Sequence, residues 1–428
     1  MNLELSSDQT FMRDEARRLL AGRAGSEQVR RAIEAGGFDP DLWKTVAGEL
    51  GWCAVAVPEE AGGLGLGAMD LVLLAEEIGR RLAPVPFWST ACLAAPLVAA
   101  LAGDMRDELL GRIAGGAAAA VALDLSSPDP RPAIAARAEG EGYLLDGSVV
   151  AVDLPSAEIV LVPATIGDEL ALFALEAGEN VRKLESLDLT RPLGMLELAG
   201  QRVPASARID RGGLGLHDLV PSLLAAKLGL AAEQVGAAQG GLDMTLAYVS
   251  ERVQFGRAIA SFQAVKHRCA ALMVDIAEAR SLLYGAARGL DVGSAEAGLE
   301  SVAAGALASE TLFRVAQEAI QLHGGVGNTW EYDPHLYLRR AQASAFMFGS
   351  ADEKLERVAD VIAAGVSSPS SIGGEVARRA GAGVENRQDD LDAFRKEVAD
   401  WMAAHLVGRF APLKDRGHAG DGDAPPAL

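Results

Sequence analysis

The feature that most limits the fold is a double change of hydrophobic period along the chain. From Asp8 to about Ile113 the apolar residues recur at helical spacing, as in "DLVLLAEEIGRRLA". One break falls at "VPEEAGGLGLG", where Pro58 and the glycines after it interrupt the pattern. From about Ala117 to Ile209 the period shortens. "YLLDGSVVAVDL", "EIVLVPA", "LALFAL" and "GMLELAG" alternate or run apolar between Gly, Pro, Asp and Asn, the pattern of a small antiparallel sheet. Helical spacing returns from His217 to Ala364 in four long segments, for which a four-helix bundle is the economical packing. This order predicts an α+β chain, mostly α. Residues 1–116 form an N-terminal helical domain, 117–212 a middle antiparallel β domain and 213–366 a C-terminal four-helix bundle.

With 428 residues, half of them hydrophobic, the chain can bury a sizeable core in two or three packed units. Its 59 acidic residues against 39 Lys and Arg give a formal charge of −20, which repels nucleic acid and anionic membranes. An anionic ligand therefore needs a local cationic or dipolar pocket, which directs attention to Arg, Lys and helix N-termini. Apolar runs such as "CLAAPLVAALAG" are too short to span a bilayer, and the N-terminus lacks a basic-then-apolar leader. The expectation is a cytoplasmic protein with neither nucleic acid nor membrane as a partner. Cys53, Cys92 and Cys269 lie far apart without metal-site spacing and read as reduced core thiols, so no metal is expected.

After Gly365 the composition changes again. "VSSPSSIGGEVARRAGAGVENRQDD" reads as a linker over residues 367–388, and 389–428 open on a new amphipathic helix, "LDAFRKEVADWMAAHL". This helix is similar to the first one. Aligning Met12 with Phe394 pairs Arg13 with Arg395, Glu15 with Glu397, Leu19 with Trp401 and Ala21 with Ala403.

Three motifs in order carry a family resemblance. They are "LGWCAVAVPEEAGGLGLG" followed by "EEIGRRLA", then "ERVQFGRAIASFQAVKHRCA", then "AIQLHGGVGNTWEYDPHLYLRRA". With the domain order, they make residues 1 to about 365 resemble the flavin-dependent acyl-CoA dehydrogenases. The resemblance implies FAD as cofactor. In that family the second and third motifs reach across a subunit interface to the adenine and pyrophosphate end of the neighbour's FAD. Here they supply Arg252 for the pyrophosphate, Gln254 and Gln263 as hydrogen-bonding groups, and Phe255, Ile259 and Phe262 as packing groups. Gln321, Leu322 and Gly325 would line the other side, with the backbone at Gly325 free to approach the dinucleotide. The plainer alternative makes Arg252 a surface ion-pair partner and Gly324 and Gly325 a helix end. His267, His323, Trp330, Tyr332 and Tyr337 read as structural residues.

The same resemblance exposes gaps. The family's catalytic carboxylate lies either just before a Gly-Ser or Gly-Thr pair in the last bundle loop or on the first bundle helix. Those slots here hold Phe348 and Ala226, so no catalytic residue is assigned. The family's Thr-Glu-Pro-x-Ala-Gly-Ser-Asp and Trp-Ile-Thr-Asn stretches, which grip the flavin ring, correspond to "ALDLSSPDPRP" and "DGSVVAVDLPS", with Ala151 at the Trp position and Asp153 at the Thr position. All the losses fall at the flavin-ring end and all the retained residues at the adenine end.

That sorting implies a half that completes a partner's FAD site for α,β-dehydrogenation of an acyl-CoA, with a second acyl-CoA dehydrogenase half or subunit as partner. It resembles the fused or heteromeric actinobacterial enzymes, some of which act on CoA thioesters of steroid side chains. An electron-transfer flavoprotein is the expected acceptor. The helix after the linker then suggests a tandem fusion, and the Ala-rich "SVAAGALASETLF" suggests a large apolar interface. Two rivals stand beside this reading. One is a self-sufficient dehydrogenase or flavin oxygenase using Glu233, Glu331 or Asp333 as base; the other is a scaffold without FAD.

Overall fold

Helices pack on helices before the first strand is reached. The computed structural model describes residues 4–102, 104–210, 220–364 and Lys396. The expected linker and second unit lie outside the described residues. Helix α1 (Ser7–Arg23) begins with a capping box, in which the Ser6 hydroxyl accepts from the Gln9 amide and the Gln9 side chain accepts from the Ser6 amide. It is followed by α2 (Ser26–Glu34), α3 (Pro40–Trp43), α4 (Ala68–Arg80), α5 (Ala95–Ala99) and α6 (Asp104–Ala114). The short helices α3 and α5 adjoin wider π-helical turns at Lys44–Glu49 and Trp88–Ala94.

Helix α4 explains the "EEIGRRLA" motif residue by residue. The helix is buried on nearly every side, so its charges need partners. Glu76 accepts from Arg280 and from the Tyr284 hydroxyl, both at 2.8 Å, and Glu77 pairs with Arg17 at 2.6 Å. Arg80 pairs with Asp243. Gly79 has no room for a side chain, because a Cβ there would run into the Glu233 backbone of the first bundle helix.

Seven strands follow: β1 (Ala119–Val121), β2 (Ile134–Glu139), β3 (Gly142–Val152), β4 (Ile159–Ile166), β5 (Glu169–Glu176), β6 (Val181–Leu184) and β7 (Leu193–Pro204). β3 pairs antiparallel with β2 and β7, β7 with β6, and β4 with β5. The sheet departs from the purely antiparallel expectation at β4, whose other edge carries β1 and then β2, both parallel to it. The β2–β3 hairpin intervenes between β1 and β4, so the chain returns in the same direction and the pairing is a crossover rather than a hairpin.

The C-terminal unit consists of α7 (Val220–Glu251), α8 (Gln263–Asp291), α9 (Ala297–His323), α10 (Pro334–Ser344) and α11 (Ala351–Ala363). The fourth expected long segment is therefore two short helices. Phe348 and Gly349 adopt left-handed φ values of 58° and 86°, and Ser350 starts α11 with its own capping box to Glu353. The Ala-rich stretch of α9 does not await a partner: Val302, Ala304, Ala306, Ala308 and Leu312 are buried within the chain. Small side chains there let α9 approach its own neighbours, α7 and α8. All three cysteines are buried and unpaired. Among the described residues no helix is long and apolar enough to cross a membrane.

Helices α4 and α7 meet backbone to backbone. A Cβ on Gly236 would overlap the Glu76 carbonyl, and one on Gly240 the Arg80 carbonyl. Gly236→Ala is expected to destabilise the fold by about 2–3 kcal/mol through overpacking. Gly285→Ala, in the middle of α8 with nothing within 4 Å of its added Cβ, should stabilise by about 0.5–1 kcal/mol. Urea unfolding of the two variants checks the opposite signs.

Candidate functional site

The second and third sequence motifs come together at one end of the bundle. Tyr248, near the end of α7, stacks on His323 at the end of α9 with ring centroids 4.2 Å apart, and its hydroxyl donates to the His323 carbonyl at 3.2 Å. The Tyr248 carbonyl accepts from the Arg252 amide, so the hairpin that follows is anchored directly to this contact. His323 is buried, its Nδ1 lies 2.7 Å from the Ala319 carbonyl, and burial lowers its pKa. It is a structural residue, as read.

Strands β8 (Val253–Gln254) and β9 (Arg257–Ala258) form a hairpin closed by Phe255 and Gly256, at φ 52° and 76°. Positive φ at both central residues is the type I′ pattern, which glycine and asparagine fill without strain and phenylalanine does not. The Phe255 side chain is nonetheless 91% exposed. Packing against its own chain accounts for little of this side chain. Arg252, Gln254 and Gln263 are exposed beside it. Phe262 is half-buried, with the Arg257 guanidinium 4.1 Å from its ring centre and Phe255 edge-on at 6.1 Å. Ile259 is half-buried against the core.

On the other side of the Tyr248–His323 contact, Gln321, Gly324 and Gly325 are exposed. A Cβ on Gly325 would meet nothing within 4 Å, whereas one on Gly327 would lie 2.7 Å from the Ile320 carbonyl. Packing inside this chain thus accounts for Gly327 and leaves Gly325 open to an outside group. Leu322 is a core residue, so only its backbone is placed to line a site.

At the other end the segments expected around a flavin ring are packed on one another. Trp88, fully buried, gathers both base slots. Its Nε1 donates to the Ala226 carbonyl at 2.8 Å, and its ring meets the Phe348 ring edge-on at 6.3 Å. The Phe348 amide donates to the Leu125 carbonyl at 2.6 Å, and a Cβ on Gly349 would lie 2.6 Å from Pro128. The last bundle loop is therefore closed onto "ALDLSSPDPRP". Ala151 is buried opposite Gly194, a pairing of two small residues with no stacking surface.

Beside Trp88 lies a buried ionic network. Arg191, its guanidinium 5.5 Å from the Trp88 ring centre, pairs with Glu233, and Arg340 pairs with Asp188. Arg340 also lies 3.7 Å from Glu233. Thr190 donates to Asp188 through its amide and its hydroxyl, at 2.9 and 2.6 Å. Asp153, at a left-handed φ of 60°, completes the group, and its Oδ2 has no hydrogen-bond partner among the described residues. Burial pushes the Asp153 carboxyl up to about 6, against the pull of Arg191. Glu233 is thereby fixed between two guanidinium groups rather than poised as a base. Asp333 pairs with Arg30 at 2.5 Å, and Glu331 stands in water beside Thr329.

Sequence reasoning passed over Tyr248, Trp88, Asp188, Arg191 and Arg340, which organise both ends. The available signal was chemical: charged residues such as Arg191 inside an otherwise apolar "LTRPLG" must find buried partners.

The comparisons agree with this architecture. Residues 6–117 match the acyl-CoA dehydrogenase N-terminal domain, and 213–363 the acyl-CoA dehydrogenase C-terminal domain. The acyl-CoA dehydrogenase IpdE2 of Mycobacterium tuberculosis is 35% identical over 82% of this chain and 96% of its own length. The acyl-CoA dehydrogenase FadE34 of the same organism is 33% identical over 85% of this chain, a match that covers 48% of FadE34. Among solved structures, the ChsE4–ChsE5 complex of M. tuberculosis is similar with a TM-score of 0.76 and 29% identity, over 85% of this chain and 99% of that one. The Tcur3481–Tcur3483 steroid acyl-CoA dehydrogenase gives 0.73 and 30%, over 84% and 99%. The chain belongs to the acyl-CoA dehydrogenase family.

The network makes a pH prediction. Folded Asp153 holds its proton to about pH 6, whereas an unfolded aspartate releases it near 3.8, so the folded state binds the extra proton between those values. Stability should therefore fall as pH rises from about 4 to 6 and stay lower above, by up to about 3 kcal/mol at roughly 1.4 kcal/mol per unit. Asp153→Asn should remove this slope and stabilise the protein at pH 8 by about 1–3 kcal/mol. Urea midpoints of both proteins at pH 5 and pH 8 measure it.

Proposed function

We propose that this chain is the non-catalytic half of an acyl-CoA dehydrogenase assembly and completes the FAD site of a partner half. The observation that carries this reading is the contrast between its two ends. Of the residues that would meet the adenine and pyrophosphate of a neighbour's FAD, Arg252, Gln254, Phe255, Gln263, Gln321 and Gly325 are exposed around Tyr248. The segments that would hold a flavin ring of its own are packed shut around Trp88 and Phe348.

The residues present fit the ADP portion of FAD. Arg252 supplies a guanidinium for the pyrophosphate in a chain whose net charge would otherwise repel it. Gln254, Gln263 and Gln321 offer amides, Phe255 an apolar face, and Gly325 an unobstructed stretch of backbone. The residues at the other end do not fit the ring. Phe348 offers no proton acceptor, Ala151 no stacking face, and Asp153 a carboxyl already enclosed by Arg191. When bound, FAD would supply the hydride acceptor for α,β-dehydrogenation of the acyl-CoA, and the base for the α-proton would come from the partner half. The role of this chain is to hold the dinucleotide tail and exclude water from it.

Support for a partner comes from relatives. ChsE4–ChsE5 and Tcur3481–Tcur3483 each pair two components. FadE34 is about twice the length matched here, as a tandem of two such units would be. The steroid enzyme among these relatives supports a steroid-derived CoA thioester as substrate, and the family resemblance supports an electron-transfer flavoprotein as acceptor.

Flavin absorbance tests the proposal. The chain purified alone is expected to be colourless and unreactive toward acyl-CoA. Co-purified with a catalytic half, the complex should carry one FAD per pair, and Arg252→Ala in this chain should weaken FAD retention by about 10- to 100-fold, as expected for loss of a charge-assisted phosphate contact. A yellow chain bleached by acyl-CoA on its own would overturn the proposal in favour of a self-sufficient enzyme. A pair without flavin would overturn it in favour of a scaffold.

A further inference from the structure

A second group of charges lies on the far side of Phe348. Lys227 on α7 and Lys354 and Arg357 on α11 line a small cavity with Pro128, Leu230 and Val302. In a chain of net charge −20 this is a local excess of cations. Its carboxylate, Asp129, is engaged with Arg357 at 2.8 Å. Neither lysine ammonium makes an ion pair or hydrogen bond to any described residue. The Lys227 ammonium sits 5.5 Å from the centre of the Phe348 ring, and Lys354 is buried with 6% of its surface exposed. The nearby Glu353 caps α11, accepting from the Ser350 amide and hydroxyl at 2.8 Å.

A buried ammonium without a carboxylate is costly unless something else compensates it. Burial accordingly pushes both lysines down to about 8, with Arg357 adding to the effect on Lys227. An anion between the two would reverse that penalty.

We propose that this cavity binds the carboxylate head of a small organic acid, held between Lys227 and Lys354 with its hydrocarbon part along Phe348, Leu230 and Val302. The enclosed volume of about 20 Å³ exceeds the roughly 10–15 Å³ that one water requires, and the cavity is partly open, so it encloses the head group while the hydrocarbon part extends along the apolar lining toward the opening. A carboxylate suits it better than a phosphate. The other polar residues of the lining are engaged, Gln234 with Ser344, Ser301 with Ala297 and Arg357 with Asp129, so the two ammonium groups can neutralise one charge and satisfy two oxygens, whereas a phosphate would leave further acceptors unpaired. The site stands on the packing of this corner and does not depend on the flavin reading.

Competitive acetic anhydride labelling of the full chain, read by mass spectrometry at Lys227 and Lys354 between pH 6 and 10, tests the site, with hexanoate, hexanamide and inorganic phosphate as probes. Hexanoate should saturably slow labelling of both lysines about tenfold at pH 7, the effect of raising each pKa by a unit. Lys354→Met should abolish the hexanoate effect at Lys227, and Lys227→Met that at Lys354, with unchanged circular dichroism. Equal protection by hexanamide would overturn the proposal, since an apolar plug would then suffice. Protection by phosphate but not hexanoate would overturn the carboxylate assignment. Labelling that ignores every probe would overturn the site.

Discussion

The contact on which the rest depends is the crossing of α4 on α7. Gly79, Gly236 and Gly240 keep side chains out of the closest approaches of that crossing, so carbonyl groups of one helix lie against the backbone of the other. This fixes the rotation of α7, and that rotation assigns its residues to different neighbours. Glu233 presents its carbonyl to Gly79 and its carboxylate to Arg191 and Arg340. Ala226 presents its carbonyl to Trp88, Gln234 donates to Ser344 at 3.0 Å, and Tyr248 meets His323. A helix with side chains at the crossing would stand further off and lose this register.

Charge is managed differently at each part of the molecule. Around Trp88, carboxylates and guanidinium groups neutralise one another in the interior, an arrangement that specifies geometry more than it adds stability. Burial outweighs the pull of Arg191 at Asp153, which is why its carboxyl is pushed up to about 6. Around Arg252 the opposite holds: side chains able to bind an anion stand in solvent, where an unpaired charge costs little. An interior with matched charges resists a ligand, and an exposed cation on an acidic protein invites one.

Much of the fold was legible because it rests on period. The change from helix to strand near Ala117 and the return to helix at Val220 follow from where apolar residues must face a core. The parallel pairings of β4 were not legible, since pairing partners depend on the path of the chain and not on alternation within a strand. The split of the last helix was missed for a local reason: Phe348 is an unlikely residue for a left-handed φ, and only the approach of Leu125 and Pro128 explains it. In the candidate site, Arg252, Phe255, Gln321 and Gly325 could be named because they lie in short contiguous motifs. The ionic network could not, since Asp153, Asp188, Arg191, Glu233 and Arg340 meet only after the sheet docks on the bundle.

The geometry of α7 bears directly on whether one chain could serve both ends. Ala226, at the closed end, and Arg252, at the open end, are separated by about 39 Å at 1.5 Å per helical residue. That is far longer than an extended dinucleotide. A cofactor whose pyrophosphate met Arg252 could not also set its ring against Trp88 and Phe348 of the same chain. On the proposed reading one constraint would account for both ends. The open end would be held in place by a partner's cofactor, and the closed end, with no ring to admit, would be free to fill with Phe348 and the ion pairs of Arg191 and Arg340.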